Sequence, residues 1–299
     1  MRDMSKKEKS IYLPIDPYIY SKHTVVSQIL GLDPIQKIIE YALWTGYVEN
    51  VRPVSVMLVA PIESGKSDLI LSFKNNSGTI LLSKCTPFGI IRDYFDRLRT
   101  GKIKHILIPD LQQSTPAGAI DESIHFFNGL IEEGIVNVST FYHRGLIIGS
   151  DQLPIRCGLI TSIPRDAFED KRTRWHKVGF LSRCVIVTYD YSRDLILHIR
   201  EYIKNQNHLK PKDIVLNLPE TVTNVTIPRK YADEIETFVD DYAKREGSKG
   251  LRRQIQYQAL TQGIALSKNR AEVSGEDVKE LITLLTWCNL EFRPLQLAR

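Results

Sequence analysis

The hydrophobic positions of this chain fall into two alternating patterns. Five short apolar runs, SVMLVA from Ser55, TILLS from Thr79, HILIPD from His105, CGLITS from Cys157 and CVIVTYD from Cys184, show no polar alternation. A strand that is apolar on both sides belongs in a parallel sheet covered on both faces. Between the runs the apolar residues take helical spacing, as at Ile35, Ile38, Ile39, Ala42 and Leu43 within 29–44, and again near 67–73, 89–99 and 121–133. Asp33 followed by Pro34 predicts an N-cap and first turn for the first of these helices. Strands alternating with helices predict an α/β fold.

One stretch breaks the alternation. Residues 135–142 and 146–149 flank His143-Arg144-Gly145 and read as a β-hairpin with His143 and Arg144 at its tip. After Tyr191 the strands stop: LILHIREYIKNQ is helical, a Pro-bearing connector follows, and two or three helices occupy 231–290. The pattern predicts an arm (1–24), an α/β core (25–192) and a helical domain (193–299).

Composition narrows the class. Hydrophobic residues make up 42% and charged residues 25%, which excludes a disordered chain or a coiled coil. Lys+Arg at 40 against Asp+Glu at 35 permits a polyanionic partner without requiring one. Cys85, Cys157, Cys184 and Cys288 have no CxxC spacing, so neither a zinc ribbon nor a disulfide framework is expected, and a reduced, cytoplasmic setting is. The basic N-terminus leads into no apolar run, and no run approaches the ~20 residues that span a bilayer, so neither a signal peptide nor a membrane partner is expected.

The chemistry starts where the first strand ends. Ala60-Pro61-Ile62-Glu63-Ser64-Gly65-Lys66-Ser67 fits the phosphate-loop pattern GxxxxGK[ST] except at its first position, where Ala60 replaces glycine. Such a loop, between a buried strand and a helix, points backbone N–H groups at phosphate oxygens. Ala60, Pro61, Glu63, Ser64, Gly65, Lys66 and Ser67 are therefore the candidate nucleotide ligands. Lys66 would neutralise phosphates and Ser67 would bind Mg²⁺, with ATP the expected cofactor. Asp110, closing the third apolar run, is placed to hold the metal's water shell. The position after it, often a glutamate that activates water, is Leu111; Gln112 can orient a water but cannot accept its proton.

In order and spacing these motifs resemble the AAA+ ATPases, and within them the minichromosome-maintenance (MCM) helicase ATPase domain, over about residues 25–290. LGLDPIQKIIEYALWTG resembles the family's lead-in helix, FFNGLIEEGIVNV its approach to the pre-sensor hairpin, and GLITSIP its sensor-1 strand. GFLSRCVIV resembles the arginine-finger segment, and LRRQIQYQALTQGIALSKNRAEVSGEDVKELI the sensor-2 helix. The resemblance implies a P-loop αβα sandwich with a parallel sheet, a pre-sensor β-hairpin and a C-terminal α-helical lid.

It further implies that Arg183 is a finger reaching a neighbouring subunit's phosphate and that Arg253, with Arg252 as fallback, is the sensor-2 arginine. The family's sensor-1 asparagine falls at Ile163; Thr161 is the preferred substitute, with Ser162 beside it. The implied assembly is a ring of copies, expected to be a hexamer. His143 and Arg144 are candidate DNA contacts. Trp175 with Arg172 and Arg174 offers base stacking, against an interface or a solvated loop. Three functions follow: an MCM-like motor on DNA with weak or partner-dependent hydrolysis, a hydrolysis-poor ATP-binding switch, loader or scaffold that recruits a partner protein, and a remodeller of proteins.

Overall fold

A computed structural model of the chain describes residues 31–114, 120–140, 143–150, 154–206, 213–246 and 248–288. The expected arm, 1–24, lies outside them. The five apolar runs form the five strands of one parallel sheet: β1 (Ser55–Ala60), β2 (Thr79–Leu81), β3 (His105–Ile108), β6 (Gly158–Pro164) and β7 (Cys184–Thr188). Across the sheet they stand in the order β2-β3-β6-β1-β7. Strand β6 thus separates β1 from β3. Its register sets Val59 beside Ile163 on one side and Ile108 beside Thr161 on the other.

Side chains alternate between the two faces, and each face builds a core. Val56, Leu58 and Ala60 of β1 join Ile160, Val185 and Val187 beneath α2 (Lys66–Leu71). Met57 and Val59 join Leu159, Ile163, Ile106 and Ile108 on the other face. That face is covered by α3 (Pro87–Arg99), α5 (Ile120–Asn128) and α6 (Arg165–Lys177). The result is an α/β sandwich with helices on both sides of the sheet. Thr86 caps α3 by accepting from the Gly89 amide at 3.1 Å. A four-residue helix, α4 (Leu111–Ser114), follows β3. Helix α5 runs on into a π-helical turn, Gly129–Glu133.

The first helix, α1, spans Asp33–Thr45. Its N-cap is Leu32 rather than the expected Asp33, which instead occupies the first turn. A carboxylate there still favours the positive end of the helix dipole. Two strands, β4 (Val136–Thr140) and β5 (His143–Ile148), form a separate antiparallel pair. Thr140 pairs with His143, so His143 and Arg144 open strand β5 rather than forming the turn. The side chains of both lie outside the described residues.

After β7 come α7 (Arg193–Lys204), α8 (Arg229–Glu246), α9 (Leu251–Ser267) and α10 (Gly275–Cys288). The change from sheet to helices falls at Ser192, whose hydroxyl caps α7. The helical part does not keep a core to itself. Ile264, Leu281 and Leu285 belong to the same buried cluster as Ile35, Ile39 and the β1 face. Asn76 straps the connector down: its amide donates to the Ile214 carbonyl at 2.7 Å and its oxygen accepts from the Leu216 amide at 2.7 Å. No described helix is long and apolar enough to cross a membrane. The four cysteines are buried and free.

Helix α9 approaches α1 through Gly263. A Cβ added there would stand 2.7 Å from the Tyr41 carbonyl oxygen and 3.1 Å from Thr45 Cγ2. Gly263→Ala should therefore lower stability although alanine is the better helix former. About 1 kcal/mol of propensity gain is outweighed by an overpacking cost of about 1–3 kcal/mol. Urea unfolding should show a lower midpoint with an unchanged slope; an unchanged or raised midpoint would refute the close helix contact.

Candidate phosphate-binding site

The sheet order creates a switch point. From β1 the chain crosses to the far edge at β2 and returns to β6; from β6 it passes over β1 to β7. In open parallel sheets the crevice beyond the strand ends at such a point is the usual ligand site. The loop 61–65 lies there, between β1 and α2.

Ala60 is the last residue of β1, fully buried in the core. Its backbone is not among those with positive φ. A glycine is therefore not needed at that position, which accounts for the departure from the loop pattern. The left-handed residues are Gly65, at φ 76°, and Glu63, at φ 61°. For Glu63 this conformation costs about 1–2 kcal/mol, so the loop shape is imposed by what surrounds it.

The surroundings are visible. The Tyr189 hydroxyl donates to the Ser64 carbonyl at 2.9 Å, and the Tyr191 hydroxyl donates to the same oxygen at 2.7 Å. Both tyrosines follow the end of β7. Burial, with Asp68 adding to it, pushes the Tyr191 phenol up to about 12, so it remains a donor at neutral pH. The Ser64 hydroxyl donates to the Pro61 carbonyl at 2.7 Å.

Lys66 opens α2 and is buried. Its ammonium donates to the Ala60 carbonyl at 2.9 Å, the Pro61 carbonyl at 2.5 Å and the Ser64 hydroxyl at 3.1 Å. Burial lowers the lysine pKa, the Asp110 charge raises it, and the nearby Arg165 lowers it. The ammonium is thus a desolvated cation held by the loop's own carbonyls, with a carboxylate close by.

Pro109, between β3 and Asp110, gathers the remaining polar groups. The Ser67 hydroxyl donates to the Pro109 carbonyl at 3.3 Å, and the Ser162 hydroxyl donates to it at 2.5 Å. Asp110 caps α4, its Oδ1 accepting from the Gln112 and Gln113 amides at 2.9 and 3.1 Å. The carboxylate thus serves a structural role as well as acting on Lys66. Leu111 points the other way: it is fully buried in the core that holds Ile108 and Ile124. Gln112 and Gln113 are exposed.

Of the two hydroxyls on β6, Ser162 and not Thr161 reaches this cluster. Thr161 lies beside Met57 and faces the opposite core, fully buried, where its hydroxyl has no hydrogen bond among the described residues. Successive residues of a strand point to opposite faces, so the one-residue difference decides the matter. Ile163 is likewise buried in the apolar core.

Arg165, unremarked in the sequence as a site residue, starts α6 directly beyond β6. It donates to the Tyr189 carbonyl at 3.1 Å and lies 3.4 Å from Asp190. Trp175 is buried and meets Phe180 edge-on at 5.5 Å, so neither base stacking nor a solvated loop describes it; it belongs to the packed face of α6.

The remaining arginines stand at the other end of the sheet. Cys184 pairs with Ser55, the first residue of β1. Arg183, just before it, is separated from the loop by the length of β1, roughly 15–20 Å. Its guanidinium donates to the Gly179 carbonyl at 2.7 Å. Burial, and then repulsion from Arg252, weigh against its charge. Arg253 is buried, donating to the Cys184 carbonyl, to Gln256 at 3.0 Å and to the Leu181 carbonyl at 3.5 Å. It ties α9 to the start of β7, at the far end of the sheet from this chain's loop. Arg252, the fallback, is exposed; it donates to the Ser182 hydroxyl at 2.9 Å and lies 3.7 Å from Glu132.

No protein-family model matches the sequence, and no curated protein matches it. The site is therefore defined by its own geometry.

The buried position of Leu111 yields a direct expectation. Leu111→Glu would place an unpaired carboxylate in an apolar core and should cost at least about 3 kcal/mol, without raising hydrolysis. Leu111→Met should cost under about 1.5 kcal/mol. Chemical denaturation of the two variants distinguishes this from an outward-facing side chain, for which both would be nearly neutral.

Proposed function

We propose that this protein is a P-loop nucleotide-binding protein of AAA+ type, which holds ATP with Mg²⁺ at 60–67 and turns it over slowly. One observation carries the reading. Lys66, Ser67, Ser162 and Asp110 gather at the carboxyl ends of three adjacent strands, beside a loop held in a left-handed turn. The residues fit the group. Lys66 offers a desolvated cation to phosphate oxygens, Gly65 lets them approach the backbone, and the α2 N-terminus adds its dipole. Ser67 and Asp110 are the residues that would hold Mg²⁺, which supplies positive charge against the phosphates.

The burial of Leu111 favours slow turnover. A missing general base typically removes ~10²–10⁴-fold in rate, and the residue after Asp110 is out of reach of the site. This supports the switch, loader or scaffold reading over a fast motor. The resemblance supports a ring of copies, with DNA as the expected substrate. In that ring Arg183 acts on a neighbour's nucleotide, because the length of the sheet separates it from its own loop. The helices α8–α10 then correspond to the lid, and β4–β5 to the pre-sensor hairpin.

Lys66→Ala should weaken binding of a fluorescent ATP analogue by about 100-fold, since hydrogen bonds to charged groups contribute ~1.5–3 kcal/mol. The circular dichroism spectrum should not change. Asp110→Asn should keep the α4 cap, asparagine capping as well as aspartate, while losing the Mg²⁺ dependence of binding. Undiminished ATP binding by Lys66→Ala would refute the nucleotide reading.

The ring reading has its own test. Arg183→Ala and Lys66→Ala chains, each inactive alone, should regain part of the ATPase rate when mixed, because some interfaces then combine an intact loop with an intact arginine. Failure to recover any rate, with both chains co-assembled in sedimentation, would refute action in trans.

A further inference from the structure

The strands begin at the pole of the sheet opposite the phosphate loop, and a cation precedes each of four neighbouring ones. Lys104 stands directly before β3, Arg156 two residues before β6, Arg52 three before β1 and Arg183 directly before β7. In the sheet these strands stand side by side in the order β3-β6-β1-β7. Lys102 adds an exposed ammonium on the loop that leads to Lys104, and Arg156 is exposed as well. Other cations at this pole have an ordinary explanation. Arg97 and Arg99 close α3, and Arg174, His176 and Lys177 close α6, where positive charge suits the helix dipole. The cations before the strands have no helix end to serve.

Nor are they all neutralised. Lys104 is half-buried, its ammonium 5.8 Å from the centre of the Tyr47 ring. Burial, and then repulsion from Arg156, lower its pKa. Two like charges are thus held together, and among the described residues no carboxylate forms an ion pair with Lys102, Lys104 or Arg156. Nearby acids are engaged with other cations. Asp96 lies 3.7 Å from Arg99, and Glu132 is shared between Arg52 at 3.1 Å and Arg252 at 3.7 Å. Glu49 and Glu133 are exposed. Main-chain donors are spent as well. The Lys104 and His105 amides donate to the Gly78 carbonyl at 2.7 and 3.1 Å, and the Gly158 amide donates to the Lys104 carbonyl at 2.9 Å. A lone phosphate is ordinarily held by amides converging on one point. This pole offers side-chain cations spread along a line.

We propose that Lys102, Lys104, Arg156 and Arg52 form a binding surface for the phosphate backbone of a nucleic acid, built from residues other than those of the phosphate loop and the hairpin. Neighbouring strands stand ~4.8 Å apart, so the row covers about 10 Å from β3 to β1. That is the length of roughly three phosphates along one strand of a duplex. A bound phosphate supplies the negative charge that the fold does not place beside Lys104. The regular strand spacing suits a polymer whose charges repeat at a fixed interval, which favours a nucleic acid over an acidic peptide. Such contacts position a backbone without reading bases, so binding is independent of sequence and falls steeply with salt. The surface requires neither ATP nor a second copy, and it stands apart from the nucleotide reading.

Fluorescence anisotropy tests the proposal, with a labelled single-stranded DNA of about 20 nucleotides titrated by the full chain, without ATP, across roughly 50–200 mM NaCl. The Lys104→Met/Arg156→Gln chain should bind at least about 10-fold more weakly, and its plot of log affinity against log salt should flatten by about 1.4, or ~0.7 for each cation lost. Lys230→Gln/Lys279→Gln removes the same charge from α8 and α10 and should change affinity by less than about 2-fold, with the slope kept. No binding by the unaltered chain, equal losses in both double variants, or an unflattened slope would overturn the proposal. Stronger competition by polyglutamate than by unlabelled DNA of equal charge would overturn it too and assign the row to an acidic protein. Urea unfolding supplies a second readout. Lys104 is desolvated and repelled by Arg156, so Lys104→Met alone should weaken DNA binding without lowering the urea midpoint. A lowered midpoint would make the ammonium a support of the fold and count against the proposal.

Discussion

A parallel strand covered on both faces has room for charged side chains only at its ends. That constraint organises this protein. The inner residues of β1 and β6 are apolar apart from Ser55, Thr161 and Ser162, while the charged and hydroxyl groups with chemical potential cluster beyond the carboxyl ends. Because β6 separates β1 from β3, the loop and Asp110 are set two strands apart, a gap of about 10 Å. Ser162 and the Pro109 carbonyl fill that gap.

The loop itself does not rest on sequence propensity alone. A left-handed glutamate is unfavourable in isolation, and a lysine ammonium in a buried position is more so. Both persist because other groups hold them. Two tyrosine hydroxyls from beyond β7 fix the Ser64 carbonyl, and three loop oxygens hold the ammonium. Those tyrosines lie more than a hundred residues from the loop, so its shape depends on the last strand being in place. Arg165 joins the same network through the Tyr189 carbonyl, bringing a second cation to within electrostatic range of Lys66.

The opposite end of the sheet is built differently. There Arg253 is an internal fastener, its guanidinium turned to main-chain carbonyls, while Arg183 and Arg252 remain nearer the surface beside Glu132. Arginine is suited to both uses, since its planar fork serves carbonyls and phosphates alike. Helix α1 performs the matching task for the helical part. It packs between the sheet and α9–α10, so that one core runs from β1 to the last helix. The sheet and the C-terminal helices are thereby fastened by α1, by Arg253 and by Thr188 of β7, whose hydroxyl donates to the Cys288 carbonyl of α10.

The sequence by itself determined the five strands, the helices between them and the loop that joins β1 to α2, because unbroken apolar runs, helical spacing and a GKS turn are local signals. It also located the antiparallel pair and the change of character near residue 192. Only the tertiary structure decided which face each side chain takes. Thr161 and Ser162 are neighbours of similar chemistry, and strand register alone sends one into the core and the other to the site. The same holds for Leu111, whose place after Asp110 suggested the site and whose side chain lies in the interior. Arg252 and Arg253 are indistinguishable as letters, and their helix turns one outward and one inward. Tyr189, Tyr191 and Arg165 carry no motif at all; they become site residues because strand order brings distant segments to one edge. Local pattern fixes elements, whereas burial and partners are properties of contacts between residues far apart in the chain.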